Sequence, residues 1–365
     1  MNCTFEGKIT ESMKTNFLWA DCQNILCVRS GGLGDVLMLS PAIRALKEAH
    51  PGRRITLLTS SAGASIARYI PSIDNIITSD ELPCVTEKAQ EQKSVHKLIN
   101  ILRKRRFGAA VLFTRSDQNP LPLARLCCMA GIPHMLGYCQ RTPGALLDYG
   151  IADKDSETRH EVERQLNLVA TVGCSTSQTQ LSLSMPPEAT LQALETLAQA
   201  GMPPYRPWII IHTGMRTGDT QYPARDYVKA AWQLIHEMGY QIILTGSLAE
   251  REYLAELSDD IGPGAWNLAG QLPLDVFCAL TSQASVLISD EVDPVHIAAA
   301  AGTPVVALCP ETQTHFQPWL VPSRMLQITE SLTTRSAEPP ASQKTIASAV
   351  EELVGVADRR SIVRK

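Results

Sequence analysis

The chain has 365 residues, 44% hydrophobic and 19% charged, with 33 Lys and Arg against 37 Asp and Glu for a formal net charge of -4. Roughly 100–200 residues make one domain, so two are predicted. The near-neutral balance excludes the bulk basic character of a dedicated nucleic-acid binder, and no nucleic-acid partner is expected. No stretch approaches about 18 uninterrupted apolar residues, which excludes a transmembrane helix.

Glu6, Lys8, Glu11 and Lys14 leave no apolar core for a signal peptide near the N-terminus. The ten cysteines, Cys3, Cys22, Cys27, Cys84, Cys127, Cys128, Cys139, Cys174, Cys278 and Cys309, form no C-x-x-C pair. That argues against a zinc ribbon or a thioredoxin-like motif and for reduced thiols in a cytoplasm.

In chain order, residues 1–23 read as a mobile polar arm. Ile25 to Val28 is a buried strand, followed by the glycine-rich turn Ser30 to Asp35. A helix is predicted over Val36 to Ala49, stopped by Pro51-Gly52, and a strand over Ile55 to Leu58. This is a βαβ unit, which implies parallel strands. The alternation continues with a strand at Asn75 to Thr78, a helix at Val95 to Arg105 and a strand at Ala109 to Phe113. Leu121 to Ala130 is a helix, Met135 to Gly137 a short strand and His160 to Val172 a helix. Gly173 to Pro187, rich in Ser, Thr, Gln and Pro, reads as a connection between domains.

A second alternating set follows. Trp208 to Ile211 is a strand leading into the loop His212 to Gln221, and Pro223 is placed in the first turn of a helix running to about His236. Gln241 to Leu244 is a strand, Ala249 to Leu257 and Leu274 to Gln283 are helices, and Val286 to Ile288 is a strand. His296 to Ala301 is a short helix ended by Gly302, Val305 to Leu308 a strand, and Ala341 to Val354 a last helix before the basic tail Arg359, Arg360, Arg364 and Lys365. The fold class expected is α/β, two doubly wound Rossmann-like domains facing a central cleft. Ligands of such sheets bind beyond the carboxyl ends of the strands.

Gly31, Gly32 and Gly34 follow a buried strand, where glycine lets another molecule approach closely. Their spacing is not G-x-G-x-x-G, and no G-K-[ST] P-loop occurs, which disfavours a nicotinamide oxidoreductase. The loop ends in Asp35 at a helix N-terminus. The residue alone allows two readings, an acid complementing the helix dipole or a base held in a fixed place.

The segment ILCVRSGGLGDVLMLSPAIRALKEAHPGRRITLL resembles the opening of glycosyltransferase family 9, the heptosyltransferase family. AGIPHMLGY and RHEVERQLNLVATVG are similar to a subset of that family. The resemblance runs from about Asn24 to Trp319 and implies a GT-B fold. It implies an acceptor-binding domain at 24–185, a nucleotide-sugar-binding domain at 186–340 and a C-terminal helix and basic tail at 341–365. It places the catalytic aspartate at Asp35.

In IIIHTGMRTGDTQYPARDY the family's aromatic-Pro pair is Tyr222-Pro223, but the position two before Tyr222 is Thr220, not the usual cation. Arg216 and Arg225 are the nearby cations, and Thr213 and Gly214 match the positions that contact phosphate. LTGSLAERE places Glu250 near the family's ribose-binding acid, although an acid beginning a helix is the alternative. NLAGQLPLDVFCAL reads as architectural. In ISDEVDPVHIAAAAGTPVVAL, His296 falls on the donor motif, but Glu291, Val292 and Asp293 replace its Asp-Thr-Gly. Asp293 is expected to cap a helix beginning after Pro294. The set Asp290, Glu291, Asp293 and His296 would suit Mn or Mg, but the family needs no metal and none is expected, nor any other cofactor. PETQTHFQPWLVPSR reads as loop packing near the donor.

The expected activity is therefore inverting, metal-independent transfer of a sugar from a nucleotide-diphosphate donor, ADP-heptose by family default. The acceptor would be a hydroxyl of a saccharide or lipid-linked saccharide, as in lipopolysaccharide biosynthesis. Asp35 is the base; Thr213, Gly214, Arg216, Glu250, Glu291 and His296 are the donor residues; Gly31, Gly32 and Gly34 line the acceptor loop. The basic run Arg103 to Arg106 suggests contact with an anionic inner-membrane face, or else a solvated helix end. The altered donor motifs support a second reading, a catalytically weakened GT-B protein that binds or assembles.

Overall fold

The computed structural model describes residues 19, 21–80, 89–139, 147–153, 159–203, 206–214, 222–309, 317–327 and 345–363. Arg216, Thr220, most of the arm, the segment 310–316 and the end of the tail lie outside the described residues. The chain divides into two units, Met1–Ser182 and Leu183–Lys365.

The first unit has six strands, β1 (Asn24–Val28), β2 (Arg54–Thr59), β3 (Asn75–Thr78), β4 (Ala109–Leu112), β5 (His134–Cys139) and β6 (Tyr149–Ala152). They lie in the order β3-β2-β1-β4-β5-β6, and every pairing is parallel. β1 is central, with Ile25 opposite both Ile55 and Ala109. Its residues Ile25 to Val28 have no exposed surface, which is why the strand is a continuous apolar run without alternation. The helices are α1 (Leu33–Glu48), α2 (Ser61–Ala67), α3 (Ala89–Arg105), α4 (Leu121–Met129) and α5 (Glu161–Ala170). Leu26 and Val28 pack with Leu98 and Leu102 of α3 and Leu123 and Leu126 of α4, while α1 packs against α2 and α5.

Two local features correct the sequence reading. α1 begins at Leu33 and not at Val36, so Asp35 is already in its first turn. Pro41 inside α1 cannot donate to Leu37, and the Ser40 hydroxyl donates to that carbonyl instead, at 2.6 Å. Ser40 Oγ also accepts from Ser182 N at 2.8 Å, and Arg44 donates to Gln180 O at 3.0 Å. The connection expected between domains is thus stitched along α1.

The second unit repeats the plan with β7 (Trp208–His212), β8 (Gln241–Thr245), β9 (Ala265–Asn267), β10 (Val286–Ser289), β11 (Val305–Cys309) and β12 (Ser323–Gln327). All are parallel, in the order β12-β11-β10-β7-β8-β9. Counted from its own first strand, this is the same order as in the first unit. The helices are α6 (Pro187–Gln199), α7 (Ala224–His236), α8 (Arg251–Ile261), α9 (Leu274–Ser282), α10 (Val292–Ala301) and α11 (Ile346–Val363), with a single 3-10 turn at Leu248–Glu250 before α8. Ile209, Ile211, Ile242 and Ile288 share a core with Tyr227 and Leu234 of α7, Leu254 of α8 and Val350 of α11. The last helix is described over Ile346–Val363, the expected start at Ala341 lying outside the described residues, and it belongs to this core.

Elements without sequence assignment, α2, β6, α6, β9 and β12, are short or exposed. α2 has seven residues, too few for a readable period, and forms because Ser60 Oγ accepts from Gly63 N at 3.0 Å. Pro187, read as part of the connection, is the first residue of α6, where a missing N–H costs nothing. Among the described residues no helix is long and apolar enough to cross a membrane.

Candidate functional site

In a doubly wound sheet the strand order reverses beside the first strand, and loops diverge there. In the first unit that place is between β1 and β4. The chain leaves β1 through Arg29, Ser30, Gly31 and Gly32 and turns into α1. Asp35 reaches back, and its Oδ2 accepts from Gly32 N at 3.1 Å, which closes the helix N-terminus. Its Oδ1 accepts from Arg29 Nη2 at 2.5 Å. The Asp35 side chain keeps 16% exposure, while that of Arg29 has none. The Gly31 backbone lies across the carboxylate, so a Cβ there would stand 2.6 Å from Asp35 Cγ. Gly31 O accepts from Ser60 Oγ at 2.6 Å. Gly34 is buried in the first turn of α1.

Arg29 bridges two acids. Its Nη1 donates to Glu161 Oε1 at 2.9 Å and to Phe113 O at 3.3 Å. Burial opposes the guanidinium charge, but Asp35 and Glu161 outweigh it and hold the Arg29 pKa above its ordinary value. Glu161 also accepts from Gln165 Nε2 at 2.6 Å and Arg164 Nη1 at 3.4 Å. Arg164 Nε donates to Asp153 at 2.7 Å. Sequence reasoning missed Arg29 and Glu161. The available signal was a cation ending an otherwise apolar strand, in ILCVR.

The second unit contains a cavity of about 500 Å³ lined by His212, Thr245, Glu250, Leu272, Phe277 and Glu291, among others. His212 ends β7 and Thr245 ends β8, so the cavity opens at strand carboxyl ends. The two imidazole nitrogens of His212 are both engaged, Nδ1 with Thr245 Oγ1 at 2.9 Å and Nε2 with Glu291 Oε2 at 3.3 Å. The ring of Phe277 lies 5.3 Å from that of His212. Glu250 Oε2 accepts from Ser247 N at 2.5 Å. A Cβ at Gly246 would sit 2.7 Å from the same oxygen. Glu291 occupies the cap position of α10, and its amide donates to Ser289 Oγ at 3.0 Å.

Of the donor residues expected from sequence, Glu250 and Glu291 line the cavity. Gly214 presses on Glu291, where a Cβ would stand 2.7 Å from Cδ, and its N–H donates to Asp290 Oδ1 at 3.3 Å. Thr213 is fully buried. Beside it is the buried Tyr227 hydroxyl, which burial and the nearby Asp290 push well above the ordinary tyrosine range against an opposing contact from Thr213. His296 lies within α10 and has no exposed surface.

Two expectations change. α10 starts at Val292, so Asp293 lies inside the first turn instead of capping a later helix. NLAGQLPLDVFCAL is more than architectural, because Leu272, Leu274 and Phe277 line the cavity. Arg225 pairs at the surface with Asp226, 3.8 Å away. Among the described residues no group of three or more His, Cys, Asp and Glu is arranged to hold a metal ion.

The family profile described as glycosyltransferase family 9 (heptosyltransferase) matches residues 95–346. Lipopolysaccharide heptosyltransferase 2 of Escherichia coli K12 is 27% identical over 306 residues, 80% of this chain and 84% of that protein. The structure of E. coli ADP-heptose lipopolysaccharide heptosyltransferase II superposes with a TM-score of 0.72 at 22% identity, over 93% of this chain and 99% of that one. The E. coli heptosyltransferase WaaC with ADP-2-deoxy-2-fluoro heptose gives 0.62 at 17% identity, over 93% and 99%. These likenesses give the fold as GT-B and the activity as glycosyl transfer. The chain belongs to glycosyltransferase family 9, the heptosyltransferase family.

Proposed function

We propose that this glycosyltransferase inverts the anomeric centre without a metal, using Asp35 as its base. The supporting observation is the Asp35 carboxylate at the carboxyl end of β1, fixed through both oxygens and still open to solvent. Asp35 takes the proton of an acceptor hydroxyl while that oxygen attacks the anomeric carbon from the face opposite the leaving group. The bond from carbon to the diphosphate oxygen breaks, and its electron pair leaves with the nucleoside diphosphate. The acceptor is a saccharide or lipid-linked saccharide.

The donor is a nucleotide-diphosphate sugar, with ADP-heptose favoured by the relatives' names. Its nucleoside is assigned to the cavity, with Leu272, Leu274 and Phe277 against the base and Glu250 accepting from ribose hydroxyls. Gly214 and Arg216 are assigned to the diphosphate, with the fully buried Thr213 and His296 shaping that turn from beneath. The protein is proposed to work in the cytoplasm, meeting an anionic inner-membrane face through the exposed Arg103 to Arg106 run.

The test is Asp35→Asn. Transfer, read by product mass, falls about 10³-fold, while calorimetry shows unchanged ADP binding. Full transfer by this variant overturns the base role. One observation favours the second reading, a weakened binding protein: the Glu291 carboxylate stands where a diphosphate would be received. Failure of the wild type to bind ADP, UDP, GDP or their sugars would support it.

A further inference from the structure

We infer that Arg29 and Glu161 are positioning residues for the Asp35 carboxylate, an inference that rests on the base role proposed above. A carboxylate works as a base when one of its lone pairs is held toward the incoming hydroxyl. Asp35 is anchored at both oxygens, by Arg29 Nη2 at 2.5 Å and by Gly32 N at 3.1 Å. Each oxygen retains a further lone pair. Rotation would break both bonds.

Arg29 can serve as an anchor because it cannot itself move. It is fully buried, and its other amino group is shared between Glu161 Oε1 and Phe113 O. Glu161 is fixed by Gln165 and Arg164, and Arg164 by Asp153 at 2.7 Å and Thr114 O at 2.5 Å. The result is an alternating series, Asp35–Arg29–Glu161–Arg164–Asp153, with three carboxylates to two guanidiniums. Glu161 also balances part of the charge of the buried Arg29, and without it the guanidinium loses the charged contact that fixes its far side.

The experiment uses the full-length protein with ADP-heptose and a lipopolysaccharide core oligosaccharide. It compares Glu161→Gln, Arg29→Lys and Asp35→Asn. Glu161→Gln keeps the shape of the side chain and is expected to lower kcat about tenfold. Arg29→Lys cannot span both acids and is expected to lower kcat about 10²-fold, with Arg29→Met lower still. Donor KM and ADP affinity stay within about twofold, the split that separates positioning from a general loss of structure. Wild-type kcat in Glu161→Gln and Arg29→Lys, alongside an inactive Asp35→Asn, overturns the inference and leaves the base role standing. A raised donor KM at unchanged kcat also overturns it. Transfer by Asp35→Asn itself removes the base role and the inference with it. Where Arg29→Lys does not fold, Glu161→Gln decides alone.

Discussion

Two turns in this molecule share one construction. After β1 the chain reads Gly31-Gly32-Leu33-Gly34-Asp35, and after β8 it reads Gly246-Ser247-Leu248-Ala249-Glu250. In both, a glycine follows the strand within three residues and the acid four residues later accepts from the intervening amide, Gly32 N or Ser247 N. In both, the glycine passes so close to the carboxylate that an added side chain would have to displace it. The difference lies two residues before the glycine, where the first turn has Arg29 and the second has the buried Leu244. A capping acid is thus the default of this strand–turn–helix. The guanidinium distinguishes a carboxylate proposed to do chemistry from one proposed to hold a ribose.

The sharpest way to break that comparison is to neutralise each acid in turn. Asp35→Asn should cut kcat about 10³-fold, whereas Glu250→Gln should leave kcat intact and raise donor KM less than about tenfold. Equal effects in the two turns would erase the distinction. Filling the glycines comes next. Gly31→Ala should lower kcat roughly tenfold by displacing Asp35, and Gly246→Ala should raise donor KM by a similar factor.

A smaller effect compares the two units in alkali. Burial pushes Tyr138 in the first unit and Tyr222 in the second up to about 12, and Tyr227 well above its ordinary 10. Unfolded tyrosine ionises near 10, so from there the unfolded state loses protons that the folded state keeps. Stability is unaffected below about pH 10 and falls as pH rises from 10 toward 12. Tyr227→Phe should flatten that fall in a series of melting temperatures. The smallest effect concerns thiols. Burial raises Cys27 and holds Cys127 and Cys278 at about 12. Iodoacetamide at pH 8 should therefore label the exposed Cys128 and leave these three intact, as read by mass spectrometry.

Most of the fold was legible from the sequence, for a physical reason. Strands buried on both faces, such as Ile25 to Val28 and Ile209 to Ile211, are unbroken apolar runs, and the amphipathic helices between them carry a clear period. Short elements at sheet edges, such as β9 and β12, bury too little surface to leave a pattern. Of the candidate site, Asp35 stood out at the end of a glycine turn, but the residue alone left its role open, and the choice of Asp35 as base and of Glu250 as a ribose acid came from the family resemblance. Arg29 and Glu161 were not, since 132 positions separate the partners of that ion pair and only the folded sheet joins them. His212 was read as the start of a loop, and Leu272 and Phe277 as part of an architectural segment, because facing a cavity is a property of place and not of residue type.

The glycine contacts carry a consequence for altering this enzyme. Directed-evolution libraries aimed at new donors or acceptors commonly randomise the loops beyond strand ends. At positions 31, 214 and 246 such libraries would be dominated by impaired clones, because a replacement side chain must displace Asp35, Glu291 or Glu250. Diversity is better placed at the cavity walls, at Leu272, Leu274 and Phe277, where volume can change without touching a fixed carboxylate.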